Sequence, residues 1–286
     1  MAQIPESLGK KAKKEWIMNN NNALWILVTS LSLVMGSGAS HAYEVGNVQT
    51  GGSIHGRVSF LGSPPEPLHF KVEKNPEVCG HERSLMKVES RDGFLTGAVV
   101  VLEDIETGKP FSPKTFTGNL PGTGEFRYLG GESLGLQVKT HDCNFGPFTG
   151  VIAANEAVRF QNQDSIKHVL HSFVSKDTRG RILRTVHNQD LHPHDEIARV
   201  FPSDKMEDGV VVRIICNRHD FMQNWLYVVD NPYYAISDEE GRFTIDQIPP
   251  GTYTLLVRHP VLGEQRQEVT VEARGDLQVG FAFVDE

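Results

Sequence analysis

Residues 210–222 read VVVRIICNRHDFM, an apolar run that ends in a short segment carrying cysteine, histidine and methionine. β-Branched residues dominate the run, which predicts a strand that ends at Cys216. His219 and Met222 follow it, and a second histidine-bearing segment, 167–171, lies about fifty residues upstream. Two imidazoles and a thiolate in a trigonal plane, with a weak axial thioether, are the ligands of a mononuclear blue-copper site. The pattern therefore predicts one type 1 copper ion as the cofactor.

The rest of the chain beyond residue 42 shows a strand-and-turn pattern. Short runs rich in Val, Ile, Phe, Tyr and Thr recur between Gly, Pro and Asp turns, which is typical of a sandwich or barrel. The sequence therefore predicts an all-β fold. The predicted strands are 53–61, 97–103, 134–140, 157–162, 169–174, 198–201, 210–216, 225–229, 242–248, 252–258, 267–273 and 277–283, with a short helix possible at 203–208.

The C-terminal strands carry two strong turn signals. Ser237-Asp-Glu-Glu-Gly-Arg-Phe-Thr-Ile245 is followed by Pro249-Pro-Gly-Thr-Tyr-Thr-Leu255. This string resembles the carboxypeptidase regulatory-like domain, a transthyretin-like β-sandwich. The first strands of that domain resemble Gly56-Arg-Val-Ser-Phe60 and Gly97-Ala-Val-Val-Val-Leu102, far upstream. The resemblance implies one sandwich built from 51–108 with 231–286, interrupted by an inserted block. Three consecutive pieces without insertion are the alternative.

The middle block, 132–230, resembles the cupredoxins, and amicyanin or plastocyanin most closely. A Val-x-Phe-x-Asn strand at 158–162 precedes His168, and a closing strand leads into Cys-x-x-His-x-x-Met, the short loop that amicyanin uses. The resemblance implies a Greek-key sandwich in which His168, Cys216 and His219 form the ligand plane and Met222 is axial. It also implies that His219, on an exposed loop, is the exit for the electron.

Three neighbouring residues are candidates for supporting or alternative ligands. His171 shares a His-x-x-His motif with His168, but side chains alternate on a strand, so we expect a packed or surface histidine there. Val169 stands where most cupredoxins have an asparagine that ties the ligand segments together, and Asn217 is the candidate to replace it. Asp220 stands where a proline is common, and its carboxylate is a candidate modifier of His219 or an additional ligand.

A second histidine cluster precedes two acidic residues. His192 and His194 alternate and would share a face if the segment were extended, which makes them candidates for a second metal site. The alternative is that this His-Pro-His segment faces solvent in a loop.

The chain has three cysteines. An odd number in an exported protein predicts one disulfide and one thiol kept for another purpose. The simplest division pairs Cys79 with Cys143 and leaves Cys216 for the metal. Two further buried free thiols are the alternative.

The first 42 residues have the order of a secretory signal peptide. Four lysines precede an apolar run at 23–35, and small residues follow up to Ala42. A helix over thirteen residues is roughly 20 Å long, against a bilayer core of about 30 Å, so we expect cleavage, with membrane anchoring as the alternative. Removing four lysines and two glutamates takes the net charge from −8 to −10. An acidic chain argues against nucleic acid as a partner.

These features predict a periplasmic electron-transfer protein with no transmembrane span in the mature chain. The expected partner is a redox protein, such as a c-type cytochrome or a periplasmic or membrane complex. A copper-binding or delivery protein and a non-catalytic interaction module or subunit are the alternatives. We do not expect an enzyme, because four protein ligands leave no open metal position and no nucleophile–base pair is apparent in the sequence.

Overall fold

The computed structural model describes residues 43–111, 119–120, 124–125, 136–153, 157–175, 182–201 and 211–284. All of them belong to one compact unit. The described chain is all-β apart from one helical turn, which confirms the predicted fold class. The predicted signal peptide at 1–42 and the possible helix at 203–208 lie outside these residues.

The strands fall into three groups along the chain. The first group and its helical turn are β1 (Glu44–Val45), β2 (Gly52–Leu61), β3 (Leu68–Lys71), α1 (Pro76–Cys79), β4 (Glu82–Leu85), β5 (Ser90–Arg91), β6 (Phe94–Leu95), β7 (Val99–Glu103) and β8 (Thr107–Gly108). The second is β9 (Asn119–Leu120), β10 (Gly124–Glu125), β11 (Gln137–His141), β12 (Asn144–Gly146), β13 (Thr149–Ala153), β14 (Ala157–Asn162), β15 (His168–Ser175), β16 (Ile182–Leu191), β17 (Glu196–Val200), β18 (Val211–Cys216) and β19 (His219–Val229). The third is β20 (Tyr234–Ile236), β21 (Arg242–Ile248), β22 (Gly251–His259), β23 (Gly263–Val271) and β24 (Asp276–Val284).

The first and third groups share two sheets. One sheet has the order β21-β2-β6-β5, with β24 also paired to β2, and the other has the order β20-β7-β22-β23. β2, near the start of the described chain, runs antiparallel to β21 and parallel to β24, which lie near its end. The two ends of the described chain therefore pair in one sheet. We call this pair of sheets the terminal sandwich.

The second group forms two sheets of its own. Their orders are β12-β11-β14-β17 and β13-β19-β18-β15-β16. Both sheets mix parallel and antiparallel pairs, as β11 runs parallel to β14 and β13 runs parallel to β19. We call this pair the middle sandwich. The strands that carry the predicted ligands, β15, β18 and β19, are adjacent in its larger sheet.

One sheet of the terminal sandwich is buried on both faces. Val100 and Leu102 of β7 belong to the core of the terminal sandwich, whereas Val99 and Val101 belong to the core of the middle sandwich. Successive side chains of a strand point to opposite faces. The two cores are therefore separated by a single sheet, which explains why β7 reads as an unbroken apolar run. The predicted boundaries at 51–108, 132–230 and 231–286 stay a prediction.

A small hairpin pairs with neither sandwich but packs on the core of the middle one. β3 and β4 pair with each other, and α1 lies between them. A disulfide joins Cys79 of α1 to Cys143, in the turn between β11 and β12. We call residues 68–85 the disulfide cap. The sequence did not predict its strands, because they are short and largely exposed.

No helix among the described residues is long and apolar enough to cross a bilayer.

Candidate metal centre

The ligand loop, residues 216–222, connects β18 to β19, and paired residues of these strands close its base. Ile215 of β18 stands opposite Gln223 of β19, and Cys216 stands opposite His219. Between these two pairs β19 contains three more residues than β18, so 220–222 bulge out of the ladder. We expected β19 to begin at residue 225, but it begins at His219 and carries this irregularity instead. A bulge re-aims side chains, which lets one short segment direct several groups to one point.

Three of the predicted ligand atoms meet at this point. The Sγ atom of Cys216 lies 3.7 Å from Nδ1 of His168 and 3.6 Å from Nδ1 of His219. The three ligand atoms all lie within 4.8 Å of one another. All three side chains are buried, with Cys216 1 % and His219 2 % exposed. His168, about fifty residues away in sequence, is thus brought to the loop by the pairing of β15 with β18.

The spacing of these atoms fits a single metal ion. Bonds of about 2.0–2.1 Å to imidazole nitrogen and about 2.3 Å to thiolate sulfur, at an angle of about 120°, place the two donors about 3.7–3.8 Å apart. The observed separations of 3.6 and 3.7 Å agree with this value. Two imidazoles and a thiolate form a set that suits copper or zinc. A nearby thioether would favour copper.

Met222, the predicted axial ligand, lies at the end of the same loop. It adjoins Gln223, whose opposite residue Ile215 adjoins Cys216, so Met222 and Cys216 stand at the two ends of the same closed loop. Its side chain is fully buried in the same core cluster as Cys216. A thioether is the weak, polarisable kind of donor that an axial position requires.

The surroundings of Cys216 favour its thiolate form. Burial alone would raise the pKa of the thiol, but contacts with both imidazoles and with the backbone N–H groups of Val169 and Arg218 lower it to about 6. The Val169 N–H lies 3.4 Å from Sγ. Because the thiolate is the metal-binding form of cysteine, this sulfur is prepared to bind at neutral pH.

A buried carboxylate orients His168. Oδ2 of Asp164 lies 2.9 Å from Nε2 of His168, and a carboxylate can only accept, so Nε2 carries a proton and Nδ1 is the nitrogen that faces Cys216. Burial would raise the pKa of Asp164, but the hydrogen bonds from His168 and from the Cys143 backbone outweigh it, and the pKa lies below its usual value. Carboxylate–histidine pairs of this kind fix metal ligands in many sites.

Asp164 was not among the site residues predicted from the sequence. Its one sequence signal is position: it lies two residues after Asn162, the last residue of the Val-x-Phe-x-Asn strand. Oδ1 of Asn162 accepts hydrogen bonds from Thr140 and from the backbone N–H of Asp164, at 2.7 and 3.0 Å. Its Nδ2 lies 2.8, 3.1 and 2.9 Å from the carbonyl oxygens of Ile166, Leu191 and His192. The asparagine thus fixes the loop that places Asp164 under His168.

His219 is buried, which corrects the expectation that it lies on an exposed loop. Its Nε2 lies 3.7 Å from Sγ of Cys79 in the disulfide cap. Its ring also packs against Phe221, with 5.7 Å between ring centres. The residue that covers it is 140 positions away in sequence, so the local pattern around His219 carried no sign of the cover.

The other candidates surround this group without joining it. Nδ1 of His171 pairs with Oδ1 of Asn217 at 3.0 Å, and Nε2 of His171 pairs with Oγ1 of Thr185 at 3.1 Å. Asn217 therefore links the ligand loop to β15, the role that Val169 cannot play through its side chain. Its backbone N–H also donates to the carbonyl of Val169, at 3.1 Å. Asp220 is exposed.

The segment that carries the second histidine cluster is a turn rather than an extended strand. His192 and His194 lie in the exposed turn between β16 and β17, so the segment is not extended. Within the described ranges, two groups of three ligand-bearing residues are close enough to hold a metal ion, and neither includes these histidines. The second group is Cys143, Asp164 and His168, in which Cys143 is committed to the disulfide.

Comparisons with known proteins match both parts of the chain. Residues 227–284 match the carboxypeptidase regulatory-like domain. This confirms the resemblance predicted from the turn signals at 237–255. No curated protein sequence shows significant similarity to the chain.

Solved structures similar to the chain include cupredoxins, the second predicted resemblance. A purple cupredoxin from Nitrosopumilus maritimus is 22% identical, covers 33% of this chain and 99% of its own, and has a TM-score of 0.26. Amicyanin from Paracoccus versutus is 17% identical, with 33% and 80% covered and a TM-score of 0.26. A copper-containing nitrite reductase from Thermus scotoductus is 17% identical, with 42% and 27% covered and a TM-score of 0.28.

Proposed function

We propose that this chain is an exported type 1 copper protein that transfers electrons through one mononuclear site. His168, Cys216 and His219 are the proposed plane and Met222 the proposed axial donor. One observation carries the proposal: the Nδ1 atoms of both histidines converge on Sγ of Cys216, at 3.7 and 3.6 Å, and all three side chains are buried.

The proposed role of the protein residues is to hold the donors still and dry. A bound copper ion would supply one-electron redox chemistry. Asp164 holds the ring of His168, the backbone of Val169 points an N–H at Cys216, and Asn217 joins the loop to β15. Because His168 and Cys216 are each fixed by a second contact and all four proposed donors are buried, little would have to move between oxidation states. Fixed donors suit electron transfer better than metal release.

We propose no substrate chemistry for the site. With Met222 as a fourth donor, every position around the ion would be filled by the protein, whereas a catalytic metal needs an open position. The proposed partner is a redox protein, such as a c-type cytochrome or a larger periplasmic or membrane complex. Export is proposed from the signal-peptide pattern of residues 1–42.

The terminal sandwich has a proposed supporting role. We take the middle sandwich as an insertion into a carboxypeptidase regulatory-like domain made of 51–108 and 231–286. The sheet pairings support this, because β2 pairs with β21 and β24, and β7 pairs with β20 and β22. Since β7 contributes side chains to both cores, the two sandwiches would stabilise each other.

A histidine comparison tests the proposal. His168→Ala removes a proposed ligand, while His171→Ala removes a histidine three residues along the same strand whose nitrogens bond Asn217 and Thr185. Copper titration of the purified protein should give one equivalent and a reversible one-electron couple for wild type and His171→Ala, and neither for His168→Ala. Equal copper binding by both variants would contradict the ligand assignment. Two or more tightly bound equivalents would favour a delivery protein.

A further inference from the structure

The disulfide cap is attached to the rest of the chain in an unusual way. Its two strands pair with each other, and among the described residues no ladder of backbone hydrogen bonds joins them to either sandwich. The Cys79–Cys143 disulfide links the cap covalently to the middle sandwich. A side-chain contact lies beside it, where Nη2 of Arg83 donates to the carbonyl of Asp142 at 2.5 Å.

The cap lies directly over the ligand loop. Sγ of Cys79 lies 3.7 Å from Nε2 of His219, the ring nitrogen that faces away from Cys216. The ring of Phe70 packs against Phe221, with 6.1 Å between ring centres, and the guanidinium of Arg83 lies 5.5 Å from the centre of the same ring. These contacts account for the burial of His219.

The second half of the disulfide contacts the other histidine through one carboxylate. The backbone N–H of Cys143 lies 3.2 Å from Oδ2 of Asp164, and that oxygen also accepts from His168. Each proposed histidine ligand is therefore connected to one half of the disulfide. Besides the disulfide, the cap is held by apolar packing of Val72 on the core of the middle sandwich and by a hydrogen bond from Nη2 of Arg218 to Oδ1 of Asn75, at 3.3 Å. Breaking the S–S bond would leave the cover to these non-covalent contacts and loosen a support of the site.

We propose that the Cys79–Cys143 disulfide is a redox-controlled gate over the metal site. When the bond is closed, the cap seals His219 and Cys216 from solvent. When it is broken, the cap separates from the loop, and the site opens for metal to enter or leave. The gate rests on the proposed function for its purpose, but its opening is a property of the metal-free chain.

The opening reaction requires a dithiol reductant. Its thiolate attacks one sulfur of the disulfide, the S–S bond breaks, and a mixed disulfide forms. The second thiol of the reductant then displaces the remaining cysteine. Two electrons pass to Cys79 and Cys143, which leave as thiols with the two protons of the reductant, and the reductant becomes an intramolecular disulfide. Both cysteines are buried, so the reaction needs prior local opening of the cap.

Alkylation of Cys216 in the metal-free protein measures the gate. The chain has three cysteines, and Cys216 is the one outside the disulfide, so iodoacetamide reports on this thiol alone. Cys79→Ala/Cys143→Ala keeps a single thiol and removes the tether. We expect its Cys216 to react at least about tenfold faster than in oxidised wild type, because protection of a buried group depends on the free energy of local opening.

Two comparison variants separate gating from general instability. Val257→Ala leaves a cavity in the core of the terminal sandwich, away from the cap, and urea titration establishes how far each variant is destabilised. Arg83→Ala removes a cap contact but keeps the disulfide. It should accelerate the alkylation of Cys216 by at most about twofold, because the disulfide would still confine the cap. Wild type treated with dithiothreitol should match the double variant, with Cys216 identified by peptide mass.

Three outcomes would overturn the gate. The first is a rate of Cys216 alkylation that stays within twofold of that of oxidised wild type, both in the double variant and in folded wild type reduced with dithiothreitol. Another is equal acceleration by Val257→Ala at matched stability. The third is equal acceleration by Arg83→Ala with its disulfide intact. None of these measurements uses copper, so a protein that fails to bind copper but shows gated Cys216 would refute the proposed function alone.

Discussion

Replacing Asp164 with asparagine tests whether the buried carboxylate holds His168 for the metal. The carboxylate accepts from two donors, Nε2 of His168 at 2.9 Å and the backbone N–H of Cys143 at 3.2 Å. Both donors meet Oδ2, so an asparagine oxygen in that place can still accept from them, but the amide carries no negative charge and puts an NH₂ group where Oδ1 lay, 3.3 Å from the Cys143 nitrogen. The substitution keeps the shape of the side chain and removes the charge that holds the proton of His168 on Nε2.

The expected loss follows from the burial of this pair. The side chain of Asp164 is 5% exposed and that of His168 is fully buried. A buried hydrogen bond to a charged group contributes about 1.5–3 kcal/mol. Loss of a partner that orients a metal-ligating histidine typically lowers affinity by about 10–100-fold, which equals about 1.4–2.7 kcal/mol. We expect a copper affinity of Asp164→Asn that is weaker by this factor.

The assay is competition for copper with a chromophoric chelator. Asp190→Asn is the matched control. Asp190 lies on β16, the strand next to β15, and makes an exposed ion pair with Lys167. Circular dichroism and urea unfolding establish that both variants are folded. The reasoning is refuted if folded Asp164→Asn binds copper within twofold of wild type, or if Asp190→Asn loses as much affinity as Asp164→Asn.

Three further predictions concern the core, a turn and the axial donor. The buried His259 has a pKa lowered to about 3 by desolvation. The unfolded chain therefore takes up a proton as pH falls below about 6.5, and stability is lost between that pH and about 3. His259→Asn keeps an acceptor for the N–H groups of residues 261 and 262. Between pH 7 and pH 5 the free energy of unfolding, measured with urea, should fall by about 2 kcal/mol more for wild type than for the variant. An equal fall in both proteins would be contrary evidence. Gly241 has φ +69° and a Cβ there would lie 2.3 Å from the carbonyl oxygen of Val58, so Gly241→Ala should lower stability by at least about 2 kcal/mol; an unchanged urea midpoint would disprove this. Met222→Leu keeps the volume but removes the sulfur, so it should keep the fold and change the reduction potential measured by voltammetry; an unchanged potential would argue against axial ligation.

The sequence predicted the parts of the fold whose pattern is local. β14 and β21 have the predicted bounds, because alternation of apolar residues and clear turn signals define them. β16 was missed, because an edge strand with a largely exposed pattern carries little hydrophobic signal. Residues 202–210 lie outside the described part of the chain, so the predicted strand that leads to the ligand loop is tested only from Val211.

The site shows the same division between local and distant information. Cys216, His219 and Met222 could be proposed from spacing within one loop, and His168 from the family pattern. Asp164 could not, because an acidic residue after a strand is usually a solvated turn residue. The covering of His219 by Cys79 depends on a contact between segments far apart in sequence, which local periodicity does not encode.

The absorption spectrum of the Cu(II)-loaded protein tests the central claim most directly. Close thiolate ligation in a trigonal site predicts an intense visible charge-transfer band from the sulfur of Cys216. Cys216→Ser should abolish the band, while wild type with its Cys79–Cys143 disulfide intact should show it at one copper per chain. A colourless Cu(II) complex of the wild type, or a band that survives in Cys216→Ser, would contradict the account.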